Sequence, residues 1–456
     1  MADETAATID ARPGLLDRVL RVFSDVRAGE GGTVLLMFAN LFLLLVSYYV
    51  IRVVRDAMIL ATGGAVAQSY AAAGMALVLM AFIPLYSWFA TRTNRVRLIL
   101  GVMAFFVVTL EFFALSFSRN AYYVAVAFFI WVGIFNNATV AQFWSFANDL
   151  YRRDAGERLF PIMAIGATLG APIGSKIAEV LFEEGLPPQV LLQIAAGMLL
   201  VHLALYIVVQ RREVHRRVDQ VAVAQAPIPP GNGFALVFAN PYLRLVAIII
   251  IILNIVNTNG NFIFSSAVVR AADAAVAGNP SLDKVAFIGA YTGGFLFYQN
   301  VIAFLVQAFL VSRIVKYLGM PGVLLVLPLA ALGGNALIAA GAGLSIIRWA
   351  KTAENAADYS VMNTGRQMLW LPTRREEKYK AKQAVDTFFV RFGDVLSAAL
   401  VFAGTHWLSL QGESFAVINL VLVVVWIGLL ALLLRRHREL SARAQAEEAA
   451  AEAASA

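Results

Sequence analysis

Phe38-Ala-Asn-Leu-Phe-Leu-Leu-Leu-Val-Ser-Tyr-Tyr-Val-Ile51 runs into Arg52, Val53, Val54, Arg55 and Asp56, and then into Ala57-Met-Ile-Leu-Ala61. The apolar run resumes after the charges, so they interrupt one long helix and do not flank it. About 20 apolar residues cross a bilayer as a helix. A charge at the centre of such a span costs about 2.5–3.5 kcal/mol on insertion scales, and it faces a polar pathway or a partner. Two readings follow for this segment: Arg55 and Asp56 lock helices together, or the arginines bind something charged inside the membrane.

The rest of the chain supports a membrane setting. Of its 456 residues 60% are hydrophobic and 14% are charged, where a soluble chain carries about 25% charged residues. Apolar runs predict twelve helices over approximately 33–60, 66–90, 97–118, 120–148, 159–182, 188–210, 241–269, 285–312, 320–341, 343–368, 380–405 and 414–434. The expected class is therefore an all-α membrane protein with two six-helix bundles. Its parts are a segment 1–32, a first bundle 33–210, a linker 211–240, a second bundle 241–434 and a tail 435–456 that is frayed or disordered.

One set of loops is basic. It holds Arg92, Arg95 and Arg97; Arg152, Arg153 and Arg158; Arg211, Arg212, Arg216 and Arg217; Arg313 and Lys316; and Arg374, Arg375, Lys378, Lys380 and Lys382. The loops between them, such as Thr62-Gly-Gly and Gly341-Ala-Gly, are poor in cations. The positive-inside rule places the basic loops and both termini in the cytoplasm, which predicts a bacterial inner-membrane protein. The net charge of +7 then reflects these loops, and no nucleic-acid partner is expected. The polar first thirty residues contain no cleavable signal peptide pattern.

Enzyme chemistry finds no support. There is no cysteine, which excludes disulfides and thiolate ligands. Four histidines without ligand spacing argue against a metal, and no cofactor is expected. The chain has no Gly-rich phosphate loop of the Lys-Ser/Thr kind and no Gly-x-Ser-x-Gly elbow.

The halves echo each other. Phe38-Ala-Asn40 opens the first predicted helix and Phe238-Ala-Asn240 the seventh. Parallel six-helix repeats are the arrangement of major-facilitator transporters, and by that analogy helices 1, 4, 7 and 10 line a central cavity. Polar residues concentrate there: Arg52, Arg55 and Asp56 in helix 1; Asn136, Asn137 and Gln142 in helix 4; Asn254, Asn257, Asn259 and Asn261 in helix 7. In helix 10, Arg348, Lys351, Glu354 and Asp358 are spaced by three, three and four residues, which puts them on one face. Lys176 and Glu179 in helix 5, and Asp386, Arg391 and Asp394 in helix 11, complete the charged set.

Several of these motifs carry a resemblance. Tyr49-Val-Ile-Arg52-x-x-Arg55-Asp56-Ala-Met-Ile-Leu resembles the first-helix segment Tyr-x-x-x-Arg-x-x-Lys-Asp of the ATP/ADP translocases of plastids and obligate intracellular bacteria. Similar segments follow at Phe143-Trp-Ser-Phe-Ala-Asn148, Glu157-Arg158-Leu-Phe-Pro161, Gly166-Ala167 and Lys380-Ala-Lys382-Gln-Ala-Val-Asp386. The resemblance implies a major-facilitator-like carrier that exchanges nucleotides. It also implies that Arg52, Arg55 and Lys176 are cations suited to phosphate, which arginine can grip bidentately.

Two departures stand out. Gly393-Asp394 replaces the family's Gly-Lys, and Gly133-Ile-Phe-Asn-Asn137 lacks the family's acidic residue. A balanced set of buried charges also suits a zwitterion or a lipid headgroup, so a proton- or ion-coupled carrier of another solute stays open. The expected substrate-binding set is Arg52, Arg55, Lys176, Arg348, Lys351, Arg391, Asn257, Asn137 and Tyr49. Asp56, Glu354, Asp358, Asp386 and Asp394 are the expected pairing or coupling groups. Tyr48, Tyr49 and Trp349 are candidates to stack on a base. A monomer working with a small charged or zwitterionic solute, ATP or ADP among them, is the expected form.

Overall fold

The computed structural model describes residues 15–21, 24–90, 92–93, 95–116, 121–151, 153–214, 233–374 and 376–455. Every regular element among them is helical, and nine helices are long and apolar enough to cross a membrane. Two of the nine run 56 residues, Gly31–Tyr86 and Lys284–Ala339. A straight helix of that length would extend about 84 Å at 1.5 Å per residue, against a hydrocarbon core of about 30 Å.

Each breaks instead at a glycine. Gly64 adopts φ 70°, ψ −172° and Gly319 adopts φ 59°, ψ −158°, a region that only glycine enters without strain. Both long stretches are therefore pairs of spans. The stretch from Leu344 to Met368, apolar except for its charged row, is a further span too polar to count among the nine.

The spans are α1 (31–63), α2 (65–90), α3 (Arg95–Ser116), α4 (Ala121–Leu150), α5 (Arg153–Glu183) and α6 (Pro188–Val214) in the first half. In the second half they are α7 (Pro241–Gly278), α8 (284–318), α9 (320–339), α10 (344–368), α11 (377–406) and α12 (Gly412–Ser455). Most of the linker, residues 215–232, lies outside the described residues, as do Arg152, Arg216, Arg217 and Arg375. Short helices Leu15–Leu20 and Gly233–Ala239 precede α1 and α7. The tail differs from expectation: α12 continues as one helix to Ser455, because its Ala/Glu-rich sequence has high intrinsic helix propensity.

The Phe-Ala-Asn echo also resolves into two different devices. Asn40 lies ten residues into α1 and is buried, with its amide donating to the carbonyl of His202 at 2.8 Å. Asn240 is the N-cap of α7 and accepts from the backbone N–H of Tyr242 at 2.9 Å. Pro241 is the cause, since its ring suits the first turn of a helix and no position inside one.

Within the first half, glycines let α5 lie directly on α1. Cβ atoms at Gly166, Gly170 and Gly174 would stand 2.6, 2.7 and 2.4 Å from the carbonyl oxygens of Phe38, Phe42 and Val46. The stripe repeats every four residues on both helices, the small-residue packing that membrane helices use where lipid supplies no hydrophobic drive. In the second half, buried amides tie α7, α12 and α9 together. Asn259 donates to Asn419 at 2.8 Å and Asn419 donates to Asn335 at 3.1 Å. Gly393 brings α11 against Ile251 and Asn254 of α7.

The apolar core shows how the halves meet. One cluster joins the first half to Phe262–Ala272 of α7, Ile288, Phe295, Ile338, Ile347, Val401 and Phe415. All of those second-half residues lie toward the end of the bundle that carries the Gly64 turn and the Gly341 loop. A separate cluster holds the opposite end of the second half, from Val237 to Val256 and from Val423 to Leu434. The two halves are thus sealed together at the Gly64 end, and their cores are separate at the end with the basic loops.

Candidate functional site

A cavity of about 370 Å³ lies in the middle of the bundle, between the halves. Its wall on α1 is Tyr48, Arg52, Arg55, Asp56 and Leu60, residues that recur at helical spacing. Its wall on α7 is Asn254, Asn257, Thr258, Asn261 and Ser265, again one helical face. Phe129, Asn136 and Asn137 of α4, Asn355 and Tyr359 of α10, and Arg391 and Asp394 of α11 also line the cavity, with Gln68 and Ser69 of α2 and Thr292 of α8. Above it, Gln68 accepts a hydrogen bond from Ser265 at 2.6 Å, and the Tyr70 hydroxyl is 3.3 Å from His406 Nδ1. These contacts bridge the halves at the sealed end.

The three cavity guanidiniums have different surroundings. Arg55 donates from Nε and Nη2 to Asp56 Oδ1 at 2.9 and 2.7 Å, and its guanidinium lies 4.2 Å from the Phe129 ring centroid. Arg391 donates to Asp394 at 3.3 Å, and Thr258 donates to the same carboxylate at 2.9 Å. Arg52 has neither arrangement. Among the described residues it makes no hydrogen bond, its buried Nε is unsatisfied, and its nearest aromatic contact is the Tyr49 ring at 5.5 Å. Arg52 is half-buried and lines the cavity with no hydrogen-bonded carboxylate, so its guanidinium is available to an anion.

The other sequence-selected residues fall elsewhere. Lys351 and Glu354 are buried behind the α7 wall, where Lys351 donates to Glu354 at 3.1 Å and to Asn257 Oδ1 at 2.7 Å. Gly260 makes room for them, since a Cβ there would stand 2.9 Å from Lys351 Nζ. Asp358 begins a π turn, Asp358–Met362, and accepts from Arg366 at 3.4 Å. The π turn shifts the helical register; Asn355 and Tyr359 line the cavity, while Lys351, Glu354 and Asp358 point into the second half. Asn355 is held by Gln299 at 2.7 Å.

Arg348 sits between the Tyr291 and Tyr298 rings, 4.8 and 5.5 Å from their centroids. Lys176 pairs with Glu179 at 2.8 Å and is half exposed. Both lie outside the cavity lining, near the α5–α8 contact where Gly293 meets Glu179. Tyr49 turns away from the cavity to Asn300, 3.3 Å off, and Asp386 is exposed nearer the basic end. Trp349 is half exposed and packs on Tyr298. Residues not singled out in the sequence also line the cavity: Phe129, Thr258, Ser265 and Tyr359. Thr258 and Ser265 could have been found by extending the asparagine stripe of α7 with a period of 3.6.

No family model matches the chain. Among characterised proteins it resembles "ADP,ATP carrier protein 1" of Chlamydia trachomatis serovar D, with 21% identity over 86% of each sequence, and the protein of the same name from Chlamydia muridarum at the same level. Among solved structures it superposes on the nucleoside transporter NupG with a TM-score of 0.63 at 15% identity, covering 88% of this chain and 99% of that one. A peptide transporter, POT, solved in complex with sulfate, superposes with a TM-score of 0.61 at 12% identity, covering 94% and 99%. These relatives and neighbours are transporters, not enzymes. The interrupted first helix, the mid-bundle cavity and the match over most of the chain agree: the chain is a membrane carrier with a major-facilitator-like fold, similar in sequence to the chlamydial ADP,ATP carriers.

Proposed function

We propose that the protein exchanges nucleotides or related phosphate-bearing anions across the bacterial inner membrane by alternating access. The observation that carries the reading is Arg52: a half-buried guanidinium on the central cavity wall with no hydrogen-bond partner among the described residues. The name of the chlamydial relatives supports the choice of anion. In an occupied carrier the Arg52 fork would take two phosphate oxygens, with Arg55 and Arg391 steering from their carboxylate pairs. Access would come from the end with the basic loops. By the positive-inside rule that end is cytoplasmic, with both termini on the same side. The cavity is enclosed by one chain, which fits a monomer of two six-helix bundles joined by the 211–240 linker.

Counterflow tests the reading. Proteoliposomes loaded with unlabelled AMP, ADP, ATP or phosphate should accumulate the matching labelled compound. Arg52→Gln removes charged hydrogen bonds of about 1.5–3 kcal/mol each and should weaken uptake affinity by at least about tenfold. Correctly inserted protein that shows no counterflow with any of the four would refute the proposal.

A further inference from the structure

We infer that the cavity selects solutes bearing a single phosphate group, and that within the nucleotide class it fits a nucleoside monophosphate better than a di- or triphosphate. The inference rests on the phosphate-anion reading above and narrows it.

Charge on the cavity wall is the starting point. Its ionisable lining consists of Arg52, Arg55 and Arg391 against Asp56 and Asp394, which leaves one net positive charge. The two carboxylates are not free to be ignored, because each is already bonded to its own arginine, Asp56 to Arg55 and Asp394 to Arg391. Of the three arginines, Arg52 alone has no carboxylate hydrogen-bonded to it.

The cations nearest behind the wall add nothing. Lys351 is engaged by Glu354 and Asn257, and Arg366 by Asp358. Outside the lining, Lys176 is paired with Glu179 and Arg348 is held between two tyrosine rings.

A phosphate monoester carries about −1.5 to −2 charges near neutral pH. One guanidinium offers it a bidentate grip and compensates about half to two-thirds of that charge. Every additional phosphate brings further negative charge into a site with one net positive charge and two fixed carboxylates, and uncompensated charge there is strongly disfavoured. A polyanion site carries excess positive charge along its length; this cavity has one such point.

The remaining wall suits the rest of a nucleoside monophosphate. Tyr48 and Tyr359 line the cavity beside the arginines, and aromatic rings of this kind stack favourably on a base. Among the described residues Asn136 and Asn261 line the cavity and make no side-chain hydrogen bond. Their amides are free to meet sugar hydroxyls or a base edge.

Binding and charge reversal test the inference together. The full chain in detergent with EDTA is titrated with AMP, ADP, ATP, inorganic phosphate and adenosine, and the melting shift gives half-saturation for each. AMP should half-saturate at a concentration at least tenfold below ADP and ATP, with adenosine inert and Arg52→Gln abolishing the AMP shift. Asp394→Asn frees Arg391 and adds one positive charge, so it should move the ADP-to-AMP preference at least tenfold toward ADP. Asp56→Asn makes the same change from the opposite wall and replaces it should Asp394→Asn fail to fold.

ADP or ATP binding as tightly as AMP to the unmodified protein, or an unchanged preference in a folded charge variant, overturns the single-phosphate inference. Counterflow of phosphate compounds would still stand in that case. Silence of every phosphate compound in both binding and counterflow removes the broader reading with it.

Discussion

Gly170→Ala isolates the contact that sets the position of α1, and hence of Arg52. A Cβ built on Gly170 stands 2.7 Å from the Phe42 carbonyl oxygen, 2.9 Å from Leu45 Cβ and 3.3 Å from Val46 N. Ordinary contact begins near 3.4 Å, so the helices must part by about 0.7 Å at the tightest point. Two of the obstructing atoms are backbone and the third is a Cβ, so no rotamer change relieves them. Overpacking of this kind costs about 1–3 kcal/mol. Alanine returns up to about 1 kcal/mol of helix propensity, which makes the net effect a loss of roughly 1–2 kcal/mol.

Gly197→Ala is the matched control, because it gains the same propensity and nothing stands within 4 Å of its new Cβ. Thermal or denaturant unfolding in one detergent should therefore separate the two variants by about 1–3 kcal/mol. Uptake should fall in Gly170→Ala, whose α1 has been displaced, and persist in Gly197→Ala. Equal stability of the two variants would show that α1 and α5 do not approach this closely.

Three further outcomes follow from other contacts. Lys351→Met leaves Glu354 buried without its cation and should cost about 3–5 kcal/mol, while Lys351→Met with Glu354→Leu should recover most of that loss; a double variant no better than the single one contradicts the pairing. Gly64→Val forces a side chain into φ 70° and should cost about 1–3 kcal/mol of strain although the space around it is open; unchanged melting would mean that α1 and α2 do not turn there.

The third concerns acid. Burial raises the Glu30 carboxyl, but Arg158, bonded at 3.0 and 3.1 Å, and the Arg27 N–H at 2.8 Å more than offset it, so the group sits below its ordinary 4.5. A carboxyl lowered in the folded state stabilises it above pH 4.5, and that contribution disappears as pH falls through the lowered value. Glu30→Gln should therefore be less stable at neutral pH and lose less on acidification, as measured by melting between pH 3 and 7.

Much of the architecture was readable from local pattern. Apolar run length located the spans, because bilayer thickness demands about 20 residues of each helix whatever its neighbours. Cation-rich loops separated the two ends for an equally local reason. The charged interruption at Arg52, Arg55 and Asp56 marked the cavity wall because such charges are not tolerated against lipid.

Pattern failed where partners came from distant sequence. Spacing puts Arg348, Lys351, Glu354 and Asp358 of helix 10 on one face and suggests a cavity role, yet the structure sets Arg348 between Tyr291 and Tyr298, aims Lys351, Glu354 and Asp358 into the second half and leaves Asn355 and Tyr359 in the cavity. A helical face can be computed from spacing. Which way that face turns depends on Asn257, Gly260 and Arg366.

The sequence by itself determined that this chain crosses a membrane many times, in two related halves, with charges in its interior. Hydropathy, periodicity and loop charge are properties of single segments, and each acts through the bilayer. Only the tertiary structure decided which of those charges remain available. Arg55 and Arg391 are paired with Asp56 and Asp394, and the Asp394 carboxylate is further held by Thr258 from another helix. Arg52, indistinguishable from them by residue type, is left without a hydrogen-bond partner in the cavity. Whether a buried guanidinium is spent or free depends on atoms within about 3 Å of it, and helix packing alone brings those atoms there.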